Sequence, residues 1–371
     1  MSKSEFRIAV NLLHVVPGDV GGSEEYAVRT LAAFSKYGSR DFRPVLYVLA
    51  PFAVAHSSFC DHFETVVSPL DGSNRIRRIL AESTWLVSKT ADVDAVHHFG
   101  GRLPFRSRQP VAVTVHDLQP LFRPENFSLV KRVFLGKALP RTARNSDLLV
   151  APSDVVAGKL ASRLKVGPDR LAVVSVGAER ISDSPSDPGN PPTILYPAAT
   201  YPHKNHVILI EAFSRIASRH PLAQLVMTGA PGRAEELVRD AISRSGFGSR
   251  IRLTGRIPGS ELNKLLDEAT VVAFPSAYEG FGIPVLEALA TGVPVLVGAG
   301  TPAASIAGDM ASITDLLNPV AWAEALDRIL SDIDWRNQLA RAGLVRVIGH
   351  TWENSAEQLE EVWRRLLVLG S

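Results

Sequence analysis

The stretch Phe274-Pro275-Ser276-Ala277-Tyr278-Glu279-Gly280-Phe281-Gly282-Ile283-Pro284-Val285-Leu286-Glu287-Ala288-Leu289-Ala290-Thr291-Gly292-Val293-Pro294-Val295 reads as one turn of a parallel sheet. An apolar strand ends at Phe274, and a loop carrying two glycines follows. Pro284 then opens a helix, because its missing N–H is one of those left unpaired in a first turn. The apolar run resumes at residues 294–297. Gly280 and Gly282 let the backbone approach a ligand closely. Unpaired N–H groups and the positive end of the helix dipole favour phosphate there. Glu279 closes the strand and Glu287 lies just inside the helix, so the two carboxylates are placed to bracket one bound molecule. A plain strand–turn–helix with two solvated glutamates would have the same spacing, so this stretch alone decides the fold and not the function.

Working outward, the same alternation fills the chain. Strand-like runs at 7–13, 43–49, 95–98, 111–115, 148–151 and 171–176 alternate with helical segments near 24–36, 76–88, 129–143 and 155–164. A Ser-Asp-Pro-rich stretch at 182–192 reads as a linker too polar and Pro-rich to pack. Runs at 193–197, 222–228, 251–253, 271–274 and 294–297 then alternate with helices again, and a helical tail covers 321–330, 334–347 and 355–367. No period of about 20–50 residues repeats, which excludes solenoids and propellers. The expectation is an α/β fold of two doubly wound domains facing a cleft, residues 1–181 and 193–352, with ligands beyond the carboxyl ends of the strands.

The 371 residues carry 40 basic and 38 acidic side chains, a formal charge of +2. That balance argues against a nucleic-acid partner. The two halves differ in sign: residues 1–180 hold 24 Lys+Arg against 17 Asp+Glu, and residues 181–371 hold 16 against 21. The basic half, with Arg75, Arg77, Arg78, Arg102, Arg106, Lys137 and Arg141 among others, is the candidate surface for an anionic partner, including peripheral contact with an anionic membrane, and scattered solvated arginines are the alternative reading. Cys60 is the only cysteine, which leaves no intrachain disulfide and fits a reducing compartment. Residues 1–16 have no secretory pattern, and the uncharged runs 44–60 and 288–308 are broken by Pro, Gly or His. A cytoplasmic location, including the cytoplasmic face of the membrane, follows as the expectation.

The stretch from Phe274 to Val295 resembles the Glu-x7-Glu signature of family 4 retaining glycosyltransferases with the GT-B fold, a family that includes many bacterial mannosyltransferases. The resemblance implies that Glu279 lies beside the donor sugar near its anomeric carbon. It implies that the backbone of Gly280, Phe281, Gly282 and Ile283 holds the donor, and that Glu287 grips the ribose hydroxyls. The run Tyr201-Pro202-His203-Lys204-Asn205-His206 resembles the family's lysine loop, in which the ammonium of Lys204 meets the donor diphosphate. The partner arginine usual in the family falls on Ala198, which leaves His203 to share the phosphate. Gly21-Gly22-Ser23-Glu24 resembles the loop that lines the cleft near phosphate and acceptor, with Ser23 as a helix cap. Val113-Thr114-Val115-His116-Asp117 resembles the strand whose histidine, here His116, points at the donor sugar. Trp352-Glu353 resembles the start of the final helix, residues 353–371, which returns to the N-domain.

The resemblance thus implies a metal-independent, retaining hexosyltransferase with no cofactor. Its donor would be a nucleotide-diphosphate sugar, GDP-sugar favoured over UDP-sugar and mannose over other hexoses. The acceptor would be a glycan, lipid-linked or small-molecule hydroxyl. Departing phosphate would take the acceptor's proton in a front-face attack, and Lys204, Glu279 and His116 would carry the chemistry. Two other motifs and two other functions compete with it. Asp92-Val93-Asp94 matches an Asp-x-Asp metal motif but stands at a strand entry, and the His97/His98 and His203/His206 pairs lack a third zinc ligand. A nicotinamide-dependent dehydrogenase needs Gly-x-Gly-x-x-Gly after the first strand, and Gly18-Asp19-Val20-Gly21-Gly22 fails that spacing. A non-catalytic nucleotide-sugar-binding protein of the same fold is the other alternative.

Overall fold

The computed structural model describes residues 5–18, 22–105, 107–122, 124, 127–313 and 315–369, so Gly21 and Arg106 lie outside the described residues. The chain forms two compact units, Met1–Gly177 with His350–Ser371, and Ala178–Gly349. The first unit is built on β1 (Phe6–Asn11), β2 (Phe42–Leu49), β3 (Glu64–Ser68), β4 (Ala95–His98), β5 (Val111–Thr114), β6 (Leu148–Ala151) and β7 (Leu171–Val173). The second is built on β8 (Thr193–Pro197), β9 (Gln224–Thr228), β10 (Ile251–Leu253), β11 (Val271–Phe274), β12 (Val295–Gly298) and β13 (Ser312–Ile313). The sheets run β3-β2-β1-β4-β5-β6-β7 and β10-β9-β8-β11-β12-β13. Each described pairing is parallel.

Sheets covered by helices on both faces need strands that are apolar throughout. β4, β5, β6 and β11 are buried at every position, which is why their short runs were legible in the sequence. The edge strand β3, Glu-Thr-Val-Val-Ser, is mostly half-buried and carries no such run; neither it nor β13 was expected. In both sheets the strand order reverses once, between β1 and β4 and between β8 and β11. Those reversals open the crevices where doubly wound sheets receive ligands.

The last helix, Trp352–Leu369, buries Ser355, Ala356, Leu359, Val362, Trp363 and Leu366 as one helical stripe in the first unit. Trp363 meets Phe34 of the helix Gly22–Tyr37 edge-on at 4.6 Å, and its indole N–H donates to His97 Nδ1 at 3.1 Å. Three sequence expectations need correction. Residues 182–192 are no free linker: the N–H groups of Ser182, Ser186 and Gly189 donate to the carbonyls of Ala290, Gly292 and Glu268 at 2.7–2.9 Å, so main-chain bonding holds a stretch that lacks apolar side chains. The units exchange at 177/178 and 349/350, which places Trp352 in the first unit. Ser23 lies within the described helix Gly22–Tyr37 rather than at a cap position before it. No helix among the described residues is long and apolar enough to cross a membrane.

Several histidines are enclosed in the first unit. Burial holds His97 and His98 down to about 3 and His116 down to about 4, and lowers His14 as well. Each is therefore neutral in the fold and binds its proton first in the unfolded chain, near pH 6.5. A group whose folded pKa is depressed contributes stability that is complete above the unfolded value and is lost as pH falls through it. Each such histidine should cost about 2 kcal/mol by pH 5. Glu82, raised by burial, works in the opposite sense but is a single group. Denaturant unfolding at pH 7.5 and pH 5 should show a marked loss at the lower pH, and equal midpoints would contradict this account.

Candidate functional site

Lys204 and Glu279 arrive from neighbouring strands. After β8 the chain makes a short 3-10 turn, Pro202–Lys204, and Asn205 then adopts a left-handed conformation with φ 54°. Asn205 Nδ2 donates to the Pro275 carbonyl at 2.8 Å, and the Ala277 N–H donates to the His203 carbonyl at 2.9 Å. The Tyr196 hydroxyl donates to the Lys204 carbonyl at 2.6 Å. These bonds tie the loop after β8 to the loop after β11 at the point where the strand order reverses. The Lys204 ammonium and a Glu279 carboxylate oxygen form a salt bridge, with only 14% and 15% of the two side chains exposed. Lys204 Nζ also lies 5.6 Å from the centroid of the Phe274 ring.

Past Glu279 the backbone turns at Gly282, whose φ of +100° opens the helix Ile283–Ala290. A Cβ at Gly282 would meet only ordinary contacts, the nearest at 3.6 Å from Ala303. The left-handed conformation therefore requires glycine here, rather than lack of space. The Gly282 carbonyl accepts the N–H groups of Val285 and Leu286, and Pro284 sits second in the helix, where its ring costs no hydrogen bond. Glu287 follows one turn in and is half-buried, while Val285, Leu286, Ala288, Leu289 and Ala290 anchor the helix in the core. The loop and helix start thus carry Gly280, Phe281, Gly282 and Ile283 between the two glutamates.

The structure brings Lys204, Glu279, the His203 backbone and this loop together in the second unit. His203 itself stacks on Tyr201 at 6.0 Å with rings 10° from parallel. Ala198, where the sequence comparison left no arginine, is buried and offers its carbonyl to His206 Nε2 at 3.1 Å. Burial holds that histidine down to about 4, so it brings no charge to the site. His116 and Gly22 belong to the first unit. His116 stands just past β5, donates from Nε2 to the Phe99 carbonyl at 2.7 Å, and meets Tyr26 edge-on at 5.2 Å. That bond leaves Nδ1 as the acceptor nitrogen of a neutral ring. Gly22 is the first described residue of its helix, and a Cβ there would meet no other part of the described structure within 4 Å.

Sequence reasoning passed over Tyr196 and Asn205. Tyr196 is fully buried, and burial, followed by the charge of Glu279, pushes its hydroxyl well above its ordinary value. A tyrosine inside an apolar strand needs a partner for its hydroxyl, and that was the available signal. The Asp92-Val93-Asp94 decoy is structural: Asp94 accepts the Arg7 N–H at 2.8 Å and Asp92 lies 3.6 Å from the Arg7 guanidinium, at the entry to the sheet. His97 bonds Thr114 and Trp363, and His98 accepts from Asn11, so both are committed inside the core. Among the described residues no group of three or more His, Cys, Asp or Glu is arranged for a metal.

Comparison with known proteins agrees with this architecture. A family model described as "Glycosyl transferases group 1" matches residues 178–345, and one described as "Glycosyltransferase Family 4" matches residues 20–179. The chain is 29% identical over 239 residues to a D-inositol 3-phosphate glycosyltransferase of Corynebacterium diphtheriae, covering 59% of this chain and 56% of that relative. The match thus spans little more than half of the relative's length. An O-antigen chain mannosyltransferase B of Escherichia coli is 25% identical over 281 residues, covering 71% of this chain and 72% of that one. Among solved structures, sucrose-phosphate synthase from Thermosynechococcus elongatus superposes with a TM-score of 0.80 over 98% of this chain and 100% of its own, at 20% identity. At that identity the likeness shows the fold, two Rossmann-like units of GT-B type.

Proposed function

The chain belongs to glycosyltransferase family 4, and from that premise we propose that it transfers a hexose from a nucleotide-diphosphate sugar to a hydroxyl acceptor, with retention at the anomeric carbon and without a catalytic metal. The observation that carries this reading is the Lys204–Glu279 pair at the crevice between β8 and β11, with Glu287 one helical turn beyond. A carboxylate that accepts two vicinal hydroxyls makes charge-assisted bonds, which suits Glu287 to a ribose. Lys204 supplies a compact positive charge for the diphosphate as it departs. Glu279, its partner, is then beside the sugar, where positive charge develops at the ring.

GDP-mannose is the favoured donor, supported by the mannosyltransferase among the relatives; a UDP-sugar is the second choice. The acceptor is a glycan, a lipid-linked sugar or a small polyol. His203, one residue before Lys204, takes the place of the arginine that Ala198 does not supply. Turnover on a panel of GDP-, UDP- and ADP-sugars, with the anomeric configuration of the product read by NMR, tests the reading. One donor should be consumed far faster than the rest, the product should retain configuration, and excess EDTA should leave the rate unchanged. Tight nucleotide-sugar binding with no turnover on any acceptor would favour the non-catalytic binding protein instead.

A further inference from the structure

Glycine would take the turn after Lys204 without strain, yet the chain carries asparagine there. Asn205 stands at φ 54° and ψ 37°, the left-handed region where glycine is the default and asparagine is tolerated. What asparagine adds is its side chain, whose Nδ2 donates across to the Pro275 carbonyl at 2.8 Å. Tyr196 on β8 repeats the pattern. Phenylalanine would pack as well edge-on to Phe274, at 5.4 Å and 89°, and against the His206 ring at 4.6 Å. What tyrosine adds, on a fully buried side chain, is a hydroxyl that donates to the Lys204 carbonyl at 2.6 Å.

The Ala277 N–H donates to the His203 carbonyl at 2.9 Å, so each of residues 203, 204 and 205 has an anchor outside its own turn. The anchors on 203 and 205 come from the loop that leads to Glu279. The anchor on 204 comes from β8, the strand from which the lysine loop departs. Lys204 is therefore held at both ends. Its backbone is clamped at the carbonyl, and its ammonium pairs with the Glu279 carboxylate beside the Phe274 ring, whose centroid is 5.6 Å away. A lysine carries its charge on a flexible four-carbon stem, and fixing that stem costs rotamer freedom. A clamped backbone narrows the positions the ammonium can reach. Charge preorganised in this way needs no rearrangement at the moment of reaction.

We infer that Asn205 and Tyr196 are positioning residues, which clasp the lysine loop to the loop after β11 so that Lys204 and Glu279 stand as a preassembled pair before any nucleotide arrives. This rests on the proposed transferase only for the diphosphate that Lys204 meets. The clasp itself is a property of the ligand-free chain.

Proton exchange of the Lys204 ammonium reads the clasp directly, by heteronuclear NMR on the full chain without ligand, with the signal assigned from its loss in Lys204→Met. Exchange follows the fraction of time the pair stands open. The wild-type signal should be observable. Asn205→Gly and Tyr196→Phe should each speed exchange about two- to tenfold, the worth of one net hydrogen bond. Glycine keeps the left-handed turn and phenylalanine keeps the ring, so both variants retain the scaffold. Calorimetry with free GDP and UDP gives the second readout. Asn205→Gly should weaken binding about two- to tenfold in the wild-type background, and less than about twofold in Lys204→Met, where no ammonium is left to place. A purely structural role would lower the unfolding midpoint and weaken binding equally in both backgrounds, and that result would overturn the inference. So would unchanged exchange in either variant, or a wild-type ammonium that exchanges too fast to observe, since the pair would then not be preassembled. If exchange responds as expected but wild type binds neither GDP nor UDP, the clasp stands and the transferase reading fails.

Discussion

Replacing Glu287 with alanine is expected to weaken nucleoside diphosphate binding about ten- to a hundredfold and to raise the donor KM by the same factor, with kcat little changed. Glu287 sits one turn inside the helix Ile283–Ala290, past the loop that carries Glu279. In the proposed reading it holds ribose hydroxyls, which do not react. Such a contact is equally strong in the ground and transition states, so its loss appears in KM and not in kcat. A charge-assisted hydrogen bond contributes roughly 1.5–3 kcal/mol, which sets the expected range. The neighbouring helix positions are core residues, so the scaffold survives the truncation of a half-buried side chain. Calorimetry with free GDP and UDP reads the effect without any acceptor. Unchanged binding of both would remove the nucleotide assignment for this helix.

What the sequence disclosed and what it hid follow from the same physics. β4, β5, β6 and β11 were legible because strands buried on both faces must be apolar at every position. β3 was not, because an edge strand with Glu64 and Thr65 needs no such run. The loop from Glu279 to Pro284 was legible because a left-handed residue before a helix demands glycine and a first turn tolerates proline. The pairing of Lys204 with Glu279 was not: they are 75 residues apart, and only the adjacency of β8 and β11 brings them together. Asn205 was hidden for the same reason, since its bond to Pro275 crosses between loops. The stretch 182–192 misled because composition reports side chains, and that segment is held by its backbone. Gly21 and Arg106 were legible as candidates but lie outside the described residues.

Glu279→Gln and Lys204→Met are each expected to lower kcat by about a hundred- to a thousandfold, the usual range for removing one group that stabilises developing charge. The two substitutions should not behave alike toward nucleotide. Glutamine keeps the shape of Glu279 and can still accept a hydrogen bond from the Lys204 ammonium, so the loop tie is preserved and free nucleoside diphosphate should bind almost normally. Lys204→Met removes the charge that meets the diphosphate and leaves Glu279, whose side chain is only 15% exposed, without its partner. It should therefore weaken nucleotide binding as well as kcat, because an anionic ligand now faces an unpaired carboxylate. That cost is specific to the single variant. In the double variant Lys204→Met/Glu279→Gln the stranded carboxylate is gone, so nucleotide binding should recover part of the loss while kcat stays low. Binding and turnover measured across this cycle separate the two roles, since residues in direct contact do not contribute additively. Equal loss of nucleotide binding in Glu279→Gln and Glu287→Ala would show that the roles of the two glutamates are misassigned. A double variant as poor at binding as Lys204→Met would show that the salt bridge does not set the charge the diphosphate meets.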